Sequence, residues 1–274
     1  MGFCRTNLFK RLESGGQAFI QSVERHILRN YVFLHAIERG LPLPIGTQDA
    51  GLLDARIFDE DADALDAIPD IFDENDSDDE KKPTEIISLR TEEDFRKRAA
   101  DIYMEYAQQY RTRFKWLRPN VFIKTLGKDL HNDAGALLKV LQKCGEWNAD
   151  QDTKLSALAN LLIDKHPSEK VIIFNQFADT VRYLEYQLKK RGINKLAGVT
   201  GDSPDPTALA WRFSPESNEK RQRISAEDEL RVLTATVVLS EGQNLQDCAV
   251  VVNYDLPWAI IRLIQRAGRN ARFA

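Results

Sequence analysis

The chain has 274 residues and a net charge of −4, which is enough length for one large domain or two smaller ones and gives no overall positive charge that would point to nucleic acid. Its apolar runs stay below the roughly 18 residues of a membrane span, and no signal peptide precedes the first helical pattern. Three distant cysteines give no disulfide framework and no paired zinc motif. We expect a soluble cytoplasmic protein that does not contact a membrane.

Residues 1–48 are predicted to form a helical segment. Apolar side chains recur at helical spacing over residues 8–37, and the LPLP run at 41–44 then ends the helix. Lys10 and Arg11 lie in the first part of this pattern. They could reach DNA or a neighbouring lobe, or they could belong to a solvated helix face, and the sequence leaves both interpretations open.

Residues 49–83 are predicted to be an acidic, disordered linker. Fourteen carboxylates and a single base, Arg56, lie between residues 49 and 80, so the rest of the chain is net positive. Such a density of like charge with few aromatic side chains disfavours packing. An EF-hand loop beginning at Asp73 would need a glycine and a closing glutamate where the chain has Asp78 and Thr84. The linker is therefore the better interpretation.

Residues 84–150 are predicted to form a helical insertion. Helical spacing runs over residues 92–116 and resumes after Pro119 to about residue 143. The aromatic positions fit helix packing better than base stacking. Basic residues are interleaved with them, so a nucleic-acid surface also stays open; these are Arg111, Arg113, Lys115 and Arg118.

Residues 151–274 alternate between strand and helix patterns. Short apolar runs predict strands at 171–174, 196–200, 231–235 and 249–254. Helices are predicted at about 153–166, over an amphipathic pattern with Val181, Leu184 and Leu188 that ends near Gly192, and after Pro257. Such alternation predicts an α/β domain with a parallel sheet covered by helices on both faces. Ligands of these sheets bind beyond the carboxyl ends of the strands, where polar residues follow each run.

Five runs in this region occur in a specific order. They are KVIIFNQF at 170–177, VTG at 199–201, LTATVVLSEGQNLQ at 233–246, VNYDLPW at 252–258 and QRAGRNAR at 265–272. In order and spacing they resemble motifs IV, V and VI of superfamily 2 helicases. The SEGQNLQ form resembles the Swi/Snf-type branch, particularly its bacterial members. The resemblance implies a RecA-like carboxyl-terminal lobe, preceded here by a mainly helical region.

The resemblance also assigns roles to the last motif. Arg266, Arg269 and Arg272 recur every third residue and would share one helix face. By resemblance, Arg269 and Arg272 are catalytic arginine fingers for ATP hydrolysis, while Gln265 and Arg266 contact the nucleotide or support its site. A planar guanidinium suits the oxygens of a phosphoryl group better than a lysine does.

The strand-end motifs receive the remaining roles. Gly242 and Asn244 are expected near ATP, in a tight loop where glycine permits a close backbone approach. The resemblance places DNA-backbone contacts, which need not read sequence, at six positions: Asn175, Gln176, Thr200, Gly201, Thr236 and Ser240.

The sequence lacks the other half of such an ATPase. It contains neither a Gly-x-x-x-x-Gly-Lys-Ser/Thr phosphate loop nor an Asp-Glu box after a strand. The resemblance implies that ATP and Mg²⁺ are bound mainly by an amino-terminal RecA-like lobe of the same protein, with DNA as the other partner. We therefore expect a carboxyl-terminal portion of a larger translocase, cut after motif VI and inactive alone.

Two alternatives remain. The lobe could belong to an RNA helicase, although the SEGQNL form argues against it. It could also be a non-catalytic module that binds DNA or protein, because Val237 stands where many relatives carry aspartate. Intact Gln265, Arg269 and Arg272 argue against such degeneracy.

Overall fold

The computed structural model describes residues 2–46, 89–236 and 244–256. The described part falls into two compact units. The first comprises residues 2–22, 144–236 and 244–256, and the second comprises residues 23–46 and 89–143. The roles predicted for Ser240, Gly242 and residues 265–272, and the helix predicted after Pro257, lie outside the described residues.

The helices and strands are numbered here in chain order. They are α1 (Gly2–Ser14), α2 (Gly16–Glu38), β1 (Leu43–Ile45), α3 (Glu92–Gln108), β2 (Lys115–Leu117), α4 (Leu126–Cys144), α5 (Thr153–Asn160), β3 (Val171–Phe174), α6 (Ala178–Lys190), β4 (Leu196–Val199), α7 (Pro206–Phe213), β5 (Val232–Ala235) and β6 (Val250–Asn253). A π-helical turn, Leu161–Lys165, continues α5. The division between the two units falls within α2.

The first unit is built around a four-stranded parallel sheet in the order β4-β5-β3-β6. Alternate residues of β3 face opposite sides. Val171 and Ile173 pack in the core that includes α5 and α6, whereas Ile172 and Phe174 pack in the core that includes α7. Helices therefore cover both faces, and the prediction of a RecA-like parallel α/β sheet preceded by a mainly helical region is confirmed.

The sequence did not predict α7. This helix has only eight residues, too few for a clear helical period. Its start is fixed by local chemistry instead: Asp205 caps it by accepting a hydrogen bond from the Ala208 backbone N–H at 2.8 Å, and Pro206 occupies the first helical position. Its apolar residues Ala210 and Phe213 are buried.

The second unit packs α3, α4 and the larger part of α2 together. A capping box starts α3: the Asp94 backbone N–H donates to the Thr91 hydroxyl at 3.2 Å, and the Thr91 backbone N–H donates to the Asp94 carboxylate at 3.0 Å. Tyr31, Phe95 and Tyr106 are fully buried within the second unit.

Two predicted helices are corrected by the structure. The pattern over residues 8–37 is interrupted at Gly15, and α3 ends at Gln108 rather than near residue 116. Strand β1, which follows α2, and strand β2, which follows α3, form an antiparallel pair in which Leu43 pairs with Leu117 and Ile45 with Lys115. Each strand has three residues, which is too short to show the alternation of a strand, and the pairing joins distant parts of the chain.

Candidate nucleotide and nucleic-acid site

The carboxyl ends of the strands lie level with one another in the first unit. Phe174, the last residue of β3, pairs with Ala235 of β5 and with Asn253 of β6, and Ala235 pairs with Val199 of β4. The residues that follow each strand therefore emerge at one edge of the sheet. We call this the carboxyl edge; it is where a parallel sheet binds its ligands.

Asn175 links the end of β3 to β5 by a side-chain hydrogen bond. Its side chain is fully buried, and Nδ2 donates to the Thr234 hydroxyl at 2.9 Å. Its Oδ1 has no hydrogen-bond partner among the described residues. The burial separates Asn175 from the exposed groups of the edge, and a direct contact with DNA stays a prediction.

Gln176 is positioned by Asp255, a residue to which the sequence analysis gave no role of its own. The Gln176 backbone N–H donates to Oδ1 of Asp255 at 3.1 Å, and the Asp255 side chain is buried. Asp255 lies two residues after β6, so the link joins the ends of β3 and β6. Its signals in the sequence were its position directly after an apolar strand and its place in the VNYDLPW run at 252–258.

Lys154 is a second residue that the sequence analysis missed. Its Nζ lies 4.0 Å from the centre of the Tyr254 ring and donates to the main-chain carbonyls of Glu13 at 2.9 Å and Ser14 at 3.0 Å. Burial lowers the pKa of Lys154, while the nearby carboxylates of Asp255 and Asp152 oppose that shift. Lys154 thus satisfies the terminal carbonyls of α1 next to the carboxyl edge.

The Thr200-Gly201 turn follows β4. The Thr200 backbone N–H donates to the Ser203 hydroxyl at 2.9 Å, and the Thr200 carbonyl accepts from the Ser203 backbone N–H at 3.1 Å. Asp202 pairs with Arg182 of α6 at 2.6 Å, which anchors the turn. Thr200 is buried and Gly201 is exposed, so the turn presents main-chain atoms of Gly201 to solvent.

Thr236 leads from β5 into residues 237–243. Its backbone N–H continues the ladder to the Val199 carbonyl at 3.0 Å. Its hydroxyl is buried and has no hydrogen-bond partner within the described ranges. A buried hydroxyl without a partner is costly, so this group is available to a ligand or to the segment that follows.

Asn244 fixes the opposite end of that segment. Its Nδ2 donates to the Ser217 carbonyl at 2.8 Å, and its own carbonyl accepts from Asn218 Nδ2 at 2.7 Å. The Asn244 amide group therefore tethers the loop after α7 to the chain before β6. A contact with ATP at this residue stays a prediction.

The carboxyl-terminal end of α1 docks against the start of α6. Arg11 Nη1 donates to Asp179 Oδ2 at 3.0 Å, with both side chains about 95% buried (4% and 5% exposed), and the Arg11 guanidinium stacks 3.8 Å over the Phe177 ring. The Ser14 and Thr180 hydroxyls are 2.7 Å apart. Arg11 is a buried structural arginine, so both interpretations drawn from the sequence are wrong. The sequence could not show this, because the partner of Arg11 lies in a distant part of the chain.

Neither a metal site nor a membrane-spanning helix is found among the described residues. Within them, no group of three or more His, Cys, Asp or Glu side chains could hold a metal ion. No helix among them has both the length and the apolar character needed to cross a membrane.

Comparison with known proteins identifies the carboxyl-terminal part of the chain. Residues 153–274 match the family model of the helicase conserved C-terminal domain, so this part of the chain is similar to the C-terminal domain of helicases. That part of the resemblance is confirmed. The match begins at the first residue of α5 and includes the whole parallel sheet with its carboxyl edge.

The related proteins are longer than this chain. It is 32% identical over 123 residues to the uncharacterized ATP-dependent helicase YqhH of Bacillus subtilis, covering 44% of this chain and 19% of that protein. It is 28% identical over 147 residues to the ATP-dependent RNA helicase SrmB of Haemophilus influenzae, covering 51% of this chain and 30% of that protein. Proteins named as DNA helicases and as RNA helicases both occur among the relatives.

A solved structure with some likeness is the crystal structure of the C-terminal part of the Fun30 ATPase domain. The TM-score is 0.38 at 20% sequence identity, covering 64% of this chain and 49% of that chain.

Proposed function

We propose that this chain provides the second lobe of an ATP-dependent DNA translocase of the Swi/Snf type. The observation that carries the proposal is the carboxyl edge, where β3, β4, β5 and β6 end level with one another. The SEGQNLQ run and the QRAGRNAR run follow two of these strands in the sequence. Parallel sheets bind ligands at this edge, which supports a shared nucleotide and nucleic-acid site.

The chemical contribution of the lobe would be positive charge. Arg269 and Arg272 would approach the transferring phosphoryl group of ATP held by the amino-terminal lobe, with Gln265, Arg266, Gly242 and Asn244 completing the nucleotide side. A fixed guanidinium stabilises the charge that spreads over the phosphoryl oxygens in the transition state. Mg²⁺, assigned to the other lobe, would neutralise part of the same charge.

The DNA contribution would be backbone contact. Gln176 and Gly201 are held at the carboxyl edge by hydrogen bonds to Asp255 and within the Thr200 turn, and Thr236 and Ser240 would add hydroxyl groups. Main-chain N–H groups and short polar side chains bind phosphate oxygens without reading base sequence. Such contacts suit a motor that must move along any sequence.

The finger assignment is tested in a protein that joins this chain to a phosphate-binding lobe. Arg269→Ala should lower the ATPase kcat by at least about 10³-fold, because an arginine finger acts mainly in the transition state. Binding of a fluorescent ATP analogue should change little. Arg269→Lys should restore only a small part of the rate, since it returns charge without the planar fork. Wild-type turnover in Arg269→Ala would refute the assignment.

An RNA helicase lobe is the second candidate, supported by relatives such as SrmB that are named as RNA helicases. The same two-lobe protein distinguishes the candidates. The Swi/Snf-type proposal expects ATPase stimulation by double-stranded DNA and little by single-stranded RNA of equal length. The reverse order of stimulation would support the RNA helicase, and no stimulation together with no turnover would support a non-catalytic module.

A further inference from the structure

A stretch of the second unit carries only positive charge. Residues 107–128 contain six basic residues and no acidic residue, in a chain whose net charge is −4. All six basic residues are exposed. We call this stretch the basic ribbon; its charged members are Arg111, Arg113, Lys115, Arg118, Lys124 and Lys128.

The backbone of the basic ribbon is held in place by aromatic packing and by strand pairing. Strand β2 pairs with β1, and along β2 Lys115 and Leu117 are exposed while Trp116 is partly buried. Trp116 Nε1 donates to the Arg111 carbonyl at 2.8 Å, and the Phe114 ring lies 4.6 Å from that of Tyr106. These contacts hold the backbone of the ribbon around β2 in a defined conformation.

Four of the six positive charges of the ribbon are not neutralised by nearby carboxylates. Among the described residues, none of the four side chains Lys115, Arg118, Lys124 and Lys128 forms an ion pair. Other arginines of the same unit do form ion pairs: Arg90 pairs with Glu24 at 2.7 Å and Arg96 with Glu38 at 3.0 Å. Uncompensated cations on a fixed backbone favour a polyanionic partner.

Three of the four aromatic rings of the ribbon, those of Tyr110, Phe114 and Trp116, are engaged in contacts within the protein. Phe114 is buried, and Trp116 makes edge-on contacts with the rings of Tyr103 and Phe114. The Tyr110 ring is covered by the Arg113 guanidinium at 5.0 Å. Proteins that bind single strands present exposed rings on which bases stack. A surface that offers six exposed cations and engages three of its four rings fits the backbone of a duplex better.

We propose that the basic ribbon binds the phosphodiester backbone of double-stranded DNA without reading its base sequence. The ribbon lies outside the helicase C-terminal domain and in the other compact unit, so this is a second DNA contact with its own residues. This second contact shares with the proposed function only the class of partner, which is DNA. DNA binding by the ribbon requires neither ATP nor the arginines of the last motif.

The test measures DNA binding by the full chain. A variant with Lys115→Gln, Arg118→Gln, Lys124→Gln and Lys128→Gln loses four exposed charges that make no ion pair. Fluorescence anisotropy with a short labelled duplex of random sequence should show Kd raised by at least about tenfold. The slope of log Kd against log salt concentration should fall by about 3 to 4, because each lost phosphate contact removes about one released counterion.

A matched control removes the same charge elsewhere in the same unit. Lys97, Arg98, Lys139 and Lys143 are also exposed, and their joint replacement by Gln should leave Kd within about threefold and the salt slope unchanged. Thermal melting of both variants verifies the fold. A variant with only Lys124→Gln and Lys128→Gln gives a second measurement, with a fall in salt slope of about 2 expected.

Equal DNA affinity for the ribbon variant and the control variant would overturn the proposal. That result is also the one expected if the ribbon binds an acidic protein, or residues 49–80 of this chain, instead of DNA. Arg269→Ala separates this proposal from the proposed function. If that variant keeps ATPase activity while the ribbon variant loses DNA affinity, only the finger assignment fails.

Discussion

The ion pair of Arg11 is buried, and its contribution to stability differs from that of an ion pair at the surface. Its guanidinium contacts the Asp179 carboxylate and the Phe177 ring, and the ion pair is almost completely removed from solvent. Removing one partner of such a pair leaves an uncompensated buried charge, whereas replacing both by apolar side chains removes the charge altogether. The two kinds of substitution should therefore have different effects on stability.

Asp179→Ala should lower the free energy of unfolding by about 3–5 kcal/mol, because Arg11 would remain buried without its carboxylate. The double variant Arg11→Met with Asp179→Leu should lower the free energy of unfolding by clearly less. Lys189→Ala breaks an exposed pair with Glu185 on the same helix and should cost no more than about 1 kcal/mol. Urea unfolding measures all three, and an Asp179→Ala cost equal to that of Lys189→Ala would contradict the structural role.

Single residues of the site were only partly predictable from the sequence. Gln176 and Gly201 could be found because each follows a recognisable apolar strand. Arg11 and Asp179 could not be paired, since 168 positions separate them and no local pattern connects them. Asn175 and Asn244 were recognised as polar groups at strand ends, but their hydrogen bonds to Thr234 and to Ser217 depend on three-dimensional packing.

At the scale of elements, the start of α2 is fixed by close packing. A Cβ added at Gly16 would overlap the Trp147 ring. That ring cannot move away freely, because Trp147 Nε1 donates to the Tyr183 hydroxyl at 3.1 Å, and this hydroxyl donates to Asp152 at 2.9 Å. Gly16 therefore lets the helix approach the ring closely.

Gly16→Ala should lower the free energy of unfolding by about 1–3 kcal/mol, the usual cost of overpacking. Gly135→Ala is the matched control: Gly135 lies within α4, and an added Cβ there would meet nothing within 4 Å. It should raise stability by about 0.5–1 kcal/mol, because alanine favours a helix interior over glycine. Chemical denaturation that gave both variants the same sign of change would refute the packing explanation.

The sequence predicted best those elements whose signal is local. Strand β3 was found within its observed bounds because four consecutive apolar residues fill a fully buried strand. The pair β1 and β2 was missed because each strand depends on a partner about 70 residues away in the chain. The eight-residue α7 was missed because a cap and a proline, rather than an apolar period, define it.

At the scale of the whole molecule, the chain combines a region similar to the helicase conserved C-terminal domain with a helical unit that has its own charged surface. The purified chain should show negligible ATPase activity, with or without DNA, because its sequence contains no phosphate-binding loop. Release of inorganic phosphate measures this. Robust turnover by this chain alone would overturn the assignment of ATP and Mg²⁺ to a separate lobe.

The strand order also determines when the sheet can form during synthesis. Of the four strands of the parallel sheet, β3 and β4 emerge from the ribosome first, yet neither pairs with the other, because β5 lies between them. Both wait for β5, which follows β3 by about 60 residues. Until then the apolar β3 has no neighbouring strand, and such non-local pairing is slow and prone to aggregation. Synthesis of β5 is therefore the step after which the nascent sheet can first close.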